Sequence, residues 1–536
     1  MMKARDRLGQ SGREIDVKQG WSIAALVDAS RLVGANGIRC AADGHLYVAQ
    51  AFGGQLSRVD LSDGSTSIVS PADGHIVAPD DLAFDSKGNM FVTEVMSARV
   101  SCLRPNGRVD VIAGDVPIAN GVTVHHDRIF MSEFRADGRI LELYDDGRSP
   151  RLIADQVVAP NALSMGPDAC LYFPLVPLGE VWRVAVDGGA AEKVAEGFAI
   201  PTAVKFDPRK PESLVVVESG SGAVTRLNIV TGHKELIARL PIGIDNLAFA
   251  DDGRLFISYF TDGSIIEISP DGSTRPLLEG AMLGPFGLAV DNNGSLVVAD
   301  GMSLATIDRG GLVRRPAMLL EHGFPGYVRG VAVAADGSLI CSNSAGVLAR
   351  YTPKGEAEVI ADGLNQLMGI KLTAQGDILV CEAGEGRLLS ITPEGDITVL
   401  ASDLSFPTGL CVAEDGSAIV TEAGAGRVRR IAKGRSEVLI SGLTEPAGVA
   451  LQNGDLYVLD RGSHSLFCLE KGRSVPVVVA TQLPVGGWEV RANTLPGIAD
   501  LMDGPLLPFA DLVALPDGRL CFSCDVDGSL RILSRL

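Results

Sequence analysis

Apolar and polar residues alternate along this chain in short runs, as in HLYVAQ, NMFVTE, RIFMSE and RLFISY, rather than recurring at helical spacing. Period two bounded by D-x-x-G or D-G steps predicts half-buried strands joined by tight turns. The runs build a larger unit: a first strand, a turn, a second strand, a small linker, a third strand, a P-D-G-like turn and a fourth strand. Copies begin at Asn36, Pro79, Ala119, Pro160, Pro201, Ile244, Pro285, Val328, Leu367, Pro407, Pro446 and Phe509, at a period of about 41 residues. Repeated four-stranded units are the signature of propeller blades, and one ring usually holds about four to eight of them. The sequence therefore predicts an all-β fold of two consecutive six-bladed β-propellers.

Ring closure sets the expected domain boundary. The chain opens on a strand-like segment with no hairpin partner, WSIAALVD, and ends after three strands of its last unit. If the opening strand completes the sixth blade and STRPLLEG completes the twelfth, no sheet edge is left exposed. On that reading the first propeller spans 1–272 and carries the site, and the second, 273–536, is a support or lid. An insertion between the eleventh and twelfth copies, LPVGGWEVRANTLPGIADLMDGPLLP, is a candidate lid at the channel mouth or a plain surface loop.

Composition narrows the function. The chain has 536 residues, with 63 glycines and 28 prolines, which suits many turns and disfavours long helices. A formal charge of −19 repels nucleic-acid backbones and anionic membranes, leaving small molecules or metal cations as the expected partners. Oligomeric state is left open. No apolar core follows the basic residues at the start and no long apolar run occurs, so a cytoplasmic protein outside the membrane is expected. The nine cysteines sit mostly singly in strand-like runs and imply no disulfide framework. Cys521 and Cys524 lie too alone for a zinc knuckle.

In a propeller the residue just before each first strand points at the channel mouth, so these positions form a ring. In the first half they are Asn36, Asp80, Asn120, Asn161, Thr202 and Asp245; in the second, Phe286, Arg329, Met368, Thr408, Ala447 and Ala510. The first set consists of oxygen donors, as a hard divalent cation needs; the second offers almost none. Turn chemistry also favours Asn, Asp and Thr, but the turns of the two halves are otherwise alike. In the second half, HGFPGYVRG places Tyr327 and Arg329 near an apolar mouth, as packing or as a small ligand subsite.

These repeats resemble NHL-type and SMP-30/gluconolactonase/LRE-like propellers, including the six-bladed calcium-dependent lactonases of the paraoxonase type. The resemblance implies one divalent metal ion, Ca²⁺ first and Zn, Mn or Mg as alternatives, bound at the mouth. It implies Asp80, Asn161 and Asp245 as ligands, Asp245 being followed by Asn246 as in the paraoxonase-like Asp-Asn pair. Thr202 stands where that family has its second Asn, and Asn120 and Asn36 compensate. The Gly-Glu-Gly-Pro run of true gluconolactonases is absent.

The implied chemistry is hydrolysis of a lactone or related ester, the cation polarising the carbonyl and a carboxylate activating water. Candidate catalytic groups are Asp81, Glu94 and His75. Asn120 and Asn246 join the candidate metal ligands, and Asn36, Thr202, Glu133 and Glu218 are candidates to touch substrate. His322 is a further mouth histidine. Acids ending second strands recur in the other half (Asp300, Glu382, Glu422, Asp460), where bonding to turn amides is the expected role. No P-loop, H-E-x-x-H or G-x-S-x-G motif is present, so no nucleotide cofactor is expected. Two other functions remain open: a non-catalytic NHL-like binding propeller, and a metal-dependent lyase or isomerase.

Overall fold

A computed structural model describes residues 7, 14–321, 323–343, 345–432, 434–486 and 509–536. Among them the chain is strand, turn and loop, with two single 3-10 turns at Val176–Leu178 and Ala423–Ala425. The strands form twelve antiparallel sheets, eleven of four strands and one of five. The expected all-β propeller architecture is thus observed. The part of the insertion from 487 to 508, and His322, lie outside the described residues.

The chain divides into two compact units. One contains Arg31–Gly280, with six sheets that each use four consecutive strands, from Ile38–Cys40 to Thr274–Leu278. Its first and sixth inner strands, Ile38–Cys40 and Ile244–Phe249, pack side by side and close the ring. Hydrogen bonds hold that seam: Ala35 N donates to Tyr259 O at 2.9 Å and Ser258 Oγ to Asn36 O at 2.6 Å.

The other unit contains the described residues of 7–30 and of 281–536. Its last sheet is built from Leu512–Ala514, Leu520–Ser523, Leu530–Arg535 and, as its outer strand, Trp21–Val27. Trp21 pairs with Arg535 and Ala24 with Ile532. Asp16–Val17 adds a fifth strand beside Val477–Thr481. Arg7 is buried in this unit, donating to the carbonyls of Val526, Met282 and Asp525 at 2.8, 2.8 and 3.0 Å.

This corrects the expected closure and the expected 1–272 and 273–536 boundaries. The opening strand completes the twelfth sheet, not the sixth. Thr274–Leu278 pairs with Ile265–Ile268 through the Ser269–Ser273 turn, so the proposed boundary falls inside a hairpin. The physical reason is loop entropy: a strand one tight turn away closes the sixth sheet at less cost than one from the far end of the chain.

Within each sheet the repeat has a purpose in packing. Apolar residues of the second strands fill the layers between sheets; Val92, Met131, Phe173, Val216 and Ile257 are all fully or nearly fully buried. The residue following the ring position is often glycine because neighbouring inner strands come close there. A Cβ on Gly121 would lie 2.7 Å from Ala162 Cα. Two positions before the ring, the chain turns into the inner strand in the left-handed region, at Ala78, Ile118, Ala159 and Ile200, with φ from 44 to 54°.

Candidate functional site: the channel mouth of residues 31–280

The left-handed turns deliver the six ring positions to one end of their inner strands. Asp80 and Asp245 are both partly exposed, whereas Asn36, Asn120 and Asn161 are 7, 7 and 8% exposed and Thr202 is buried completely. Asn36 bridges the seam: its Nδ2 donates to Asp245 Oδ2 at 3.2 Å while its Oδ1 accepts from Ala51 N at 3.1 Å. No Lys, Arg or His among the described residues pairs with Asp80 or Asp245.

That leaves two carboxyls in poorly solvated surroundings without a counter-charge. Asp80 is held well above the ordinary carboxylate range, by burial first, then by the charges of Asp245 and Asp81. Asp245 is pushed up to about 7, by burial and then Asp81, with the Asn36 amide opposing. Asn120 adds a buried Oδ1 with no hydrogen-bond partner. Asn161 Oδ1 accepts from Ala162 N at 2.7 Å, which uses one of its two lone pairs. Crowded carboxyls beside an unsatisfied amide oxygen fit a hard cation. No cluster of three or more His, Cys, Asp or Glu is found among the described residues, so any such site draws on amide oxygens as well.

The remaining sequence candidates have other duties. Asp81 is 1% exposed and spends its oxygens on Leu82 N at 2.9 Å, Val122 N of the next inner strand at 3.0 Å and, more weakly, Asn246 Nδ2 at 3.5 Å. It ties two inner strands together and is not placed as a base. Asn246 Oδ1 accepts from Leu247 N at 2.8 Å and its Nδ2 faces Asp81, so both ends of its amide are engaged. Thr202 Oγ1 donates to Asp245 O at 2.7 Å. It fixes the backbone of a ring carboxylate instead of meeting a ligand.

Glu94 and Glu133 are fully buried and Glu218 is 8% exposed, away from the rim positions expected for them. Glu94 accepts from Val77 N at 2.6 Å and pairs with Arg99 at 2.8 Å; Ser101 Oγ also donates to it. Glu133 pairs with Arg139 through both oxygens. Glu218 takes Ala199 N at 2.9 Å and Thr225 Oγ1 at 2.8 Å. Glu94 and Glu218 clamp the loop that enters their own blade, as Glu382 does for Asn365 N and Glu422 for Ser405 N in the other unit, whereas Glu133 is held by Arg139. His75 is exposed, and Arg99 bonds its carbonyl oxygen.

Two side chains that ring reasoning passed over lie deeper in the same channel. Arg39 and Lys205 each lie three residues after the ring position of their inner strand, Asn36 and Thr202. Arg39 Nε and Nη2 donate to Leu82 O at 3.1 and 3.0 Å, and Nη2 also reaches Val122 O at 3.2 Å. Lys205 is 7% exposed and its Nζ has no hydrogen-bond partner. The available signal was a basic residue within an inner strand, where a half-buried position normally carries an apolar one. A separate 730 Å³ cavity in this unit lies by the turns at the opposite strand ends, lined by residues including Cys40, Asp60 and Arg254.

The mouth of the other unit is different chemically. Arg329 is 1% exposed, its guanidinium 4.5 and 4.7 Å from the ring centres of Phe286 and Tyr327. Burial draws it down to about 10. Thr408 Oγ1 donates to Pro446 O at 2.9 Å. This mouth is packed by an aromatic-cation stack and not lined by oxygen donors.

Residues 443–469, the eleventh sheet's first three strands, match the NHL repeat family. No curated protein matches the sequence. Among solved structures the chain is similar to a streptogramin B lyase at 18% identity, covering 52% of this chain and 94% of that one, with a TM-score of 0.39. It is similar to virginiamycin B lyase from Staphylococcus aureus at 16% identity, covering 52% and 96%, TM-score 0.38. A nidogen/laminin complex gives 16% identity over 37% and 78%, TM-score 0.34. No helix among the described residues is long and apolar enough to cross a membrane. The chain is a β-propeller protein in which residues 443–469 match the NHL repeat.

Proposed function

We propose that the mouth of the 31–280 ring binds one divalent cation, Ca²⁺ before Zn, Mn or Mg, and hydrolyses a lactone or related ester in the manner of SMP-30-like propellers. The observation that carries this reading is the pair Asp80 and Asp245, two crowded carboxyls without a cationic partner beside the orphaned Asn120 Oδ1. Asp80, Asp245 and Asn120 would hold the ion, with the second lone pair of Asn161 Oδ1 completing the set. The bound ion would polarise the substrate carbonyl and stabilise the oxyanion.

The chain's own residues orient that site. Asn36 Nδ2 holds one oxygen of Asp245, leaving the other for the ion, and Thr202 fixes the Asp245 backbone. Asn161 Nδ2 has no partner among the described residues and supplies a donor to a substrate oxygen. A second reading, a propeller that binds a small ligand without chemistry, is favoured by one observation: Asp81 and Glu94 are both committed to structural bonds, so neither is free as a base.

Elemental analysis of protein purified without chelator tests the site, with Asp80→Asn and Asp245→Asn alongside. About one equivalent of metal is expected in the wild type and a loss in both variants. A lactone and ester screen should then show turnover falling at least about 100-fold in each variant. Metal that binds normally without turnover favours the ligand-binding reading. A wild type that takes up none of the four cations would overturn the proposed site.

A further inference from the structure

Below the mouth, the channel of the 31–280 unit holds two basic side chains that no carboxylate among the described residues pairs with. Lys205 Nζ is buried without a partner, and Arg39 bonds only backbone carbonyls. The one carboxylate that influences both is Asp81, and it already accepts two backbone amides and the Asn246 amide. The other ring shows how such a lysine is normally satisfied. Lys371 likewise lies three residues after its ring position, Met368; its Nζ donates to Leu288 O at 3.1 Å and pairs with Asp511 Oδ2 at 3.4 Å, three sheets away around the ring. Lys205 and Asp81 stand in the same three-sheet relation, yet no bond joins them, and Arg39 adds a second cation.

We propose that this channel takes a carboxylate between Lys205 and Arg39, so that the ligand arriving at the mouth is an anionic, carboxylate-bearing small molecule. Arg39 keeps its Nη1 without a protein partner among the described residues and is itself only partly buried, so a donor remains for an incoming oxygen. The site would be held by charge-assisted hydrogen bonds in poorly solvated surroundings, where each is strong. The channel then has carboxyl groups at its rim and basic groups at its floor, suited to a molecule whose carboxylate enters first and whose reactive carbonyl stays at Asp80 and Asp245. The inference rests on the proposed mouth site only for that last placement; the anion site stands without it.

Two probes test it, bromide and acetate, on the whole chain. Crystals soaked in bromide should show an anomalous peak within hydrogen-bond distance of Lys205 Nζ, absent in Lys205→Met. Acetate should raise the melting temperature in a saturable way in the wild type, with at least a tenfold weaker apparent affinity in Lys205→Met and in Arg39→Met. Asp245→Asn should keep the acetate response, which separates failure of this site from failure of the metal site. No bromide peak at Lys205, or an acetate response unchanged in Lys205→Met, overturns the proposal. Bromide without acetate binding also overturns it, since the floor would then be a halide site. Should Lys205→Met not fold, Lys205→Gln and the wild-type map decide.

Discussion

Lys205 shows how much a single residue can report. Its amine is drawn down to about 7 from the ordinary 10.5, by burial first, with Arg39 adding and Asp81 opposing. Between those two values the unfolded chain holds the proton and the folded one does not. Unfolding free energy should therefore rise with pH from about 7 to about 10.5, by at most about 1.4 kcal/mol per unit. Chemical denaturation across that range should show the slope in wild type and its loss in Lys205→Met; equal slopes would refute the assignment. Lys205→Met should also be as stable as wild type or more so at pH 7, because it removes a buried amine without a partner. At this scale the sequence was partly legible. The oxygen-donor ring could be written down, whereas the assignment of Asp81, Glu94, Glu133 and Glu218 to structural bonds could not. A carboxylate at a strand end looks the same in sequence whether it meets substrate or the amide of the next loop.

Strand pairs explain a further repeat feature. A hydroxyl near the end of several second strands accepts an inner-strand amide of its own sheet and donates to an inner-strand carbonyl of the next. Ser258 Oγ does this between Asn246 N at 3.0 Å and Asn36 O at 2.6 Å. Ser132 links Gly121 N to Asn161 O, Ser342 links Gly330 N to Met368 O, and Ser523 links Asp511 N to Phe286 O. Thr93 and Thr421 act alike. Sheets that otherwise meet through apolar side chains are thereby fixed in height, which aligns the ring positions at the mouth. Ser258→Ala leaves a buried amide and carbonyl unpaired at the seam and should cost about 1–3 kcal/mol. Denaturant titration checks this, and a change below about 0.5 kcal/mol would mean the seam repacks. The strands themselves were readable from period two and the turn residues. The hydroxyl link was not, because its partner belongs to another sheet.

For the whole molecule, chain order and ring membership differ. Residues 31–280 form a self-contained ring whose sheets are each continuous in sequence, while the other ring uses Trp21–Val27 from the chain's start to complete its last sheet. Removing residues 1–28 would expose the edge of Leu530–Arg535 and take away the buried Arg7. Limited proteolysis read by mass spectrometry should then find 281–536 cut readily and 31–280 still protected. Equal protection of both would show that the opening strand is dispensable. The 31–280 ring should retain the metal and acetate responses in that truncated chain, since the residues proposed for both lie within it.

The all-β class and the repeated four-stranded units were legible in the chain alone, because they follow from local alternation, turn residues and period. Which strand closes which ring was settled only by folding, since WSIAALVD and STRPLLEG both read as fourth strands and only pairing distinguishes their places. Folding also decided which carboxylates are free. Asp80 and Asp245 are left without cations while Asp81 and Glu94 are consumed by backbone amides, and Lys205 is stranded where Lys371 is paired. Such distinctions depend on partners from other sheets, brought within hydrogen-bond reach only when the rings close.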